Sequence, residues 1–163
     1  MVLDDVAIAT IVLLSVTSSF PLLLYGAWIV IDAEPVTWAV LMRHLRYILT
    51  GLALTTVPLV GWMIPQLTDQ LTGFAALHAV LGLQAYAMLL FAFTGIVRIF
   101  MAKRRHDLYH DYDEAVLLDE IGGETMNHWR WRLRIGVFGY IGFWLLAYLG
   151  GVLRYVARYD LLG

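Results

Sequence analysis

The chain has 163 residues, 61% hydrophobic and 15% charged, with formal net charge −2 and mean hydropathy +0.73. Soluble domains carry about a quarter charged residues, so this composition excludes a water-soluble globule and implies an integral membrane protein. With no cysteine, disulfides, thiolate zinc sites, iron–sulfur clusters and cysteine nucleophiles are excluded.

A spanning helix needs about 20 mostly apolar residues, and four segments qualify: residues 6–31, 47–65, 73–100 and 135–155. The predicted fold is an all-α integral membrane protein, four transmembrane helices in an antiparallel bundle forming a single domain over 1–163. No basic stretch precedes the first apolar run, so that run reads as a retained span, not a signal peptide. It carries "SVTSSFP", Ser15 to Pro21. Hydroxyls there can bond another helix or their own preceding turn, giving either a substrate or quinone groove or a polar packing seam. The packing seam is preferred.

The second span is expected to extend backwards along the interface through Val36–Arg46. It should form a tight antiparallel hairpin with the third across "QLTDQLT". The third carries Ala75, Ala79 and Gly82, and the fourth carries Gly136, Gly139 and Gly142; such spacings let membrane helices approach closely. Between them lies the one substantial loop, 102–134. Its "DEAVLLDEIGGE" reads as a short amphipathic helix ended by Gly122-Gly123.

Basic residues set the orientation. Arg43, Arg46, Arg98, Lys103, Arg104, Arg105, Arg130, Arg132 and Arg134 share one side, and Arg154 and Arg158 the other. With the larger group cytoplasmic, both termini lie outside and 102–134 is the cytoplasmic loop. Trp28, Trp38, Trp62, Trp129, Trp131 and Tyr155 mark the interfaces, where amphipathic rings settle. In "NHWRWRLR", Trp129, Arg130, Trp131, Arg132 and Arg134 read as lipid-interface anchors, not a nucleic-acid surface.

The central portions of the spans contain no Asp, Glu, Lys or Arg. Intramembrane charges mark proton relays and ion paths, so a pump or ion-coupled transporter acting alone is disfavoured, and no catalytic residues emerge. Five histidines remain. Membrane haem b is held by axial histidines at matching depth on different helices, which makes His44, His78 and His128 the haem candidates. His44 would pair with His106 or His128, whereas His78 has no partner at its own depth. In "RRHDLYHDYDE", His106 and His110 lie four apart, with Asp107 between them. On a helix these three would make a partial divalent-metal site, although a solvated helix end is the preferred reading.

"LHAVLGLQAYAMLLFAFTGIVRIF" and "NHWRWRLRIGVFGYIGFWLLAYLGGVLRYV" resemble helix pairs of small four-helix membrane cytochromes of the b561 type. The whole chain, with ten Arg to one Lys, resembles small haloarchaeal membrane proteins that accompany respiratory genes, including those of cytochrome bc-type complexes. The resemblance implies a multi-pass protein of a prokaryotic plasma membrane in a respiratory setting, with other membrane subunits, lipids and a quinone as partners. Three functions follow as expectations: a non-catalytic accessory subunit of an electron-transfer complex, a small haem b carrier linked to quinol, or an oligomeric transporter or channel component.

Overall fold

The computed structural model describes residues 4–66, 73–109 and 118–161, and the side chains of 118–124 are not considered. Helix α1 spans Asp5–Ile31, α2 Trp38–Pro58, α3 Phe74–Arg105 and α4 Leu118–Arg158; a π-helical turn, Leu59–Met63, continues α2. No strand occurs among the described residues. Each of the four helices is long and apolar enough to cross a membrane, which makes the chain a multi-pass membrane protein.

One boundary agrees with the sequence expectation and two differ. The second span does extend backwards through most of 36–46: α2 starts at Trp38, where the Thr37 side chain accepts from the Val40 N–H and caps the first turn. Helix α3 runs on through its basic end to Arg105. Gly122-Gly123 does not end a short helix, because both lie inside the 41-residue α4. Glycine costs a helix interior about 1 kcal/mol per residue, too little to break a helix this long. At 1.5 Å per residue α4 is about 60 Å long and α3 about 48 Å, against a hydrocarbon core of about 30 Å. Both therefore reach well past the apolar layer.

The chain divides into two compact units, Met1–Ala76 with Leu149–Gly163, and Leu77–Tyr148. In the first, α1 and α2 run antiparallel. A Cβ added to Gly26 would meet Ile48 and Tyr47, and one on Gly51 would meet Leu23. The end of α4 joins α1: Thr10 Oγ1 and Tyr155 Oη lie 2.6 Å apart, and Tyr159 Oη donates to the Asp5 carbonyl at 3.2 Å.

In the second unit α3 and α4 are antiparallel, with Gly95 against Trp129 and Leu133, Ala92 against Gly136, and Met88 against Gly139. Its buried residues include Ala85, Ala92, Tyr140 and Met126. A Cβ on Gly136 would stand 2.5–2.6 Å from the backbone of Ala92, so only glycine allows this approach. The expected small faces are thus partly corrected. Gly136 and Gly139 pack within the chain, but Gly82 and Gly142 meet nothing within 4 Å, and on α3 the packed face is Ala85, Ala92 and Gly95.

Candidate functional site

The polar seam of α1 finds its explanation in Pro58. A proline has no N–H, so the carbonyl four residues earlier loses its helical partner. That carbonyl is Leu54, and Ser15 Oγ donates to it across the helix pair at 2.9 Å. Ser19, fully buried, donates to its own Val16 carbonyl at 2.6 Å. Thr17 bonds back to Leu13. These hydroxyls serve backbone carbonyls, as the packing reading expects. Just beyond Pro58 the helix widens into the π turn, with Leu59 N–H shared between Thr55 and Thr56 carbonyls and Ile64 N–H reaching back to Leu59.

At one end of the same helix pair, His44 Nδ1 lies 2.7 Å from the Gly26 carbonyl. A carbonyl only accepts, so Nδ1 carries a proton, and in the neutral ring Nε2 is the nitrogen left to accept or ligate. Arg43 donates to Tyr25 Oη and stands over the Tyr25 ring, which meets Tyr47 edge-on. An Nδ1–H bonded to a carbonyl also orients metal-ligating imidazoles. His44 therefore has a ring geometry that suits a ligand.

His78 and His128 belong to α3 and α4 of the second unit. From the register above, His128 lies level with Ile99, about 20 residues from His78, a separation along the helices of roughly 30 Å. One iron cannot take both. His78 is half-buried and His128 exposed.

Helix α3 ends in a way that decides the His106 question. Leu108 N–H bonds the Lys103 carbonyl and Asp107 N–H the Arg104 carbonyl, the paired bonds of a Schellman cap. Asp107 takes the left-handed position with φ 51°, which Asp tolerates better than most residues. His106 is thus the capping residue, exposed like Asp107, and the chain leaves the helix before any second histidine. Leu108 and Tyr109 then fold into cover. The Tyr109 ring packs on Phe100 at 5.7 Å, with Lys103 Nζ 5.5 Å from its centroid; burial pushes its phenol pKa up. His110 lies outside the described residues. Among the described residues no group of three His, Cys, Asp or Glu could hold a metal.

The lipid-anchor candidates divide in two. Trp131 and Arg134 are exposed. The Trp129 backbone carbonyl and the Arg132 Cβ border the seam at Gly95, with the Arg132 guanidinium 5.8 Å from the Phe91 ring. Arg130 is half-buried.

Two polar side chains escaped the sequence reading. Tyr140 is buried, and its hydroxyl has no hydrogen-bond partner among the described residues; Gln84 is exposed midway along α3. Counting only ionisable residues in the spans passed over both, and a search for any polar side chain inside an apolar run would have found them.

Residues 5–160 match the model of a family described as a domain of unknown function, DUF7321. The chain belongs to that family. Neither the curated proteins nor the solved structures include one similar to it.

Proposed function

We propose that this chain is a non-catalytic accessory subunit of a respiratory electron-transfer complex, packing in a prokaryotic plasma membrane beside a larger cytochrome, with both termini outside. The observation that carries the non-catalytic part is the use made of the polar groups. Ser15 and Ser19 go to backbone carbonyls, His44 Nδ1 is engaged by Gly26, and His78 and His128 stand at opposite ends of α3/α4. The respiratory setting rests on the resemblance of the third and fourth helices to small membrane cytochromes. Lipids and a quinone held by the partner are the expected company.

A second reading draws on one specific feature. The Nε2 of His44 in the neutral ring, with Nδ1 fixed, suits an axial ligand, and a haem b carrier would use it. A dithionite-reduced minus oxidised spectrum of the detergent-purified protein, with a gel of co-purifying subunits, separates the two. The accessory reading expects no α-band and a larger cytochrome on the gel. A stoichiometric b-type α-band that vanishes in His44→Ala would overturn it and install the carrier.

A further inference from the structure

We infer that the exposed face of α3 centred on Gln84 binds a second copy of this chain. Gln84 stands about 15 Å along the helix from Phe74 and about 21 Å from Arg98, near the middle of the apolar layer. It is exposed, and its carboxamide makes no hydrogen bond to any described residue. In water that would be unremarkable. In hydrocarbon, an amide without partners costs several kcal/mol, and contact with another helix is the relief open to it.

The neighbours on that face suit a helix and not a small ligand. Val80, Gln84, Ala87, Phe91 and Thr94 follow one another at three- and four-residue steps, all exposed, and so form one stripe. Thr94 satisfies itself on the Phe91 carbonyl at 2.7 Å, so Gln84 is the stripe's one unsatisfied group. Ala87, one turn away, is small enough to let a second backbone approach.

The chemistry of the amide selects the partner. A carboxamide holds a donor and an acceptor on one carbon. Two copies inserted the same way up are related by a two-fold axis along the membrane normal, which sets α3 parallel to its mate and Gln84 opposite Gln84. Each amide then donates one N–H to the other's carbonyl, an isologous contact that gives each one donated and one accepted bond. No other side chain of the stripe can do this.

The chain has no cysteine, so single replacements report directly. Ala87→Cys in native membranes should form a disulfide-linked dimer under mild oxidation. Phe93→Cys, also exposed but nine residues from Gln84 and so on the opposite side of α3, should not. In micelles the purified wild type should sediment as a dimer. Gln84→Leu, with its helix content intact by circular dichroism, should associate roughly ten-fold more weakly, as expected for one interhelical polar pair, and Gln84→Asn should recover part of the loss. A monomeric wild type, unchanged association of Gln84→Leu, or an Ala87→Cys link made only to another polypeptide would each overturn the proposal. The sedimentation test needs no cytochrome partner, so its failure is distinct from failure of the accessory reading.

Discussion

Replacing Gly136 by alanine tests the closest approach to backbone in the second unit. The added Cβ would come 2.5 Å from the Ala92 nitrogen and 2.6 Å from its Cα and Cβ. Non-bonded carbons prefer roughly 3.5–4.0 Å, so α3 and α4 must part by about 1 Å. The atoms in the way are mostly backbone, which cannot turn aside as a side chain would. Overpacking of this kind costs about 1–3 kcal/mol, and the same parting loosens the neighbouring contacts at Gly95 and Gly139, so the upper end applies. Alanine's better helix propensity returns about 1 kcal/mol, leaving a net loss of about 2 kcal/mol. Gly142→Ala on the same helix meets nothing within 4 Å and should be neutral or up to about 1 kcal/mol stabilising. Unfolding by SDS titration from mixed micelles, followed by tryptophan fluorescence and far-UV circular dichroism, measures both. A Gly136→Ala variant as stable as wild type, or a Gly142→Ala variant equally damaged, would refute the packing argument.

Two further outcomes follow from the same geometry. Ser15→Ala strands the Leu54 carbonyl and should cost about 1–2 kcal/mol. In a Pro58→Ala background, where residue 58 regains its N–H, the same change should cost little, and additive losses in this double-mutant cycle would contradict the pairing. Burial raises the pKa of Tyr109, so above about pH 10 the unfolded chain gives up this proton before the folded one. The stabilising contribution is complete below that pH and lost as pH rises through the folded value. Wild type should therefore lose stability relative to Tyr109→Phe as pH rises above about 10. Both are best compared in a Lys103→Arg background, so that the ammonium over the ring does not titrate as well. Parallel pH curves would show that Tyr109 is not sheltered.

Four spans were legible in the sequence because the bilayer imposes a local rule: about 20 apolar residues in a row, whatever surrounds them. The end of α3 was less legible. "RRHDLYH" continues a helical pattern on paper, and its termination depends on Asp107 taking a left-handed conformation while Leu108 and Tyr109 gain cover. Gly122-Gly123 misled in the opposite direction, since two glycines in a helix of 41 residues cost less than its remaining turns supply. Seams of small residues read alike whether they face a helix or lipid, so Gly136 and Gly142 looked equivalent and are not.

The sequence by itself determined the class, the four helices, the absence of thiol chemistry and the charge-free middle of each span. These depend only on neighbours along the chain. The tertiary structure alone decided that Ser15 serves the carbonyl orphaned by Pro58, that His78 and His128 lie far apart, and that Gln84 is left facing outward. Each is a relation between residues on different helices, or between a helix and its surroundings. In hydrocarbon such relations follow from close packing and hydrogen-bond satisfaction, which no run of residues in one helix can specify.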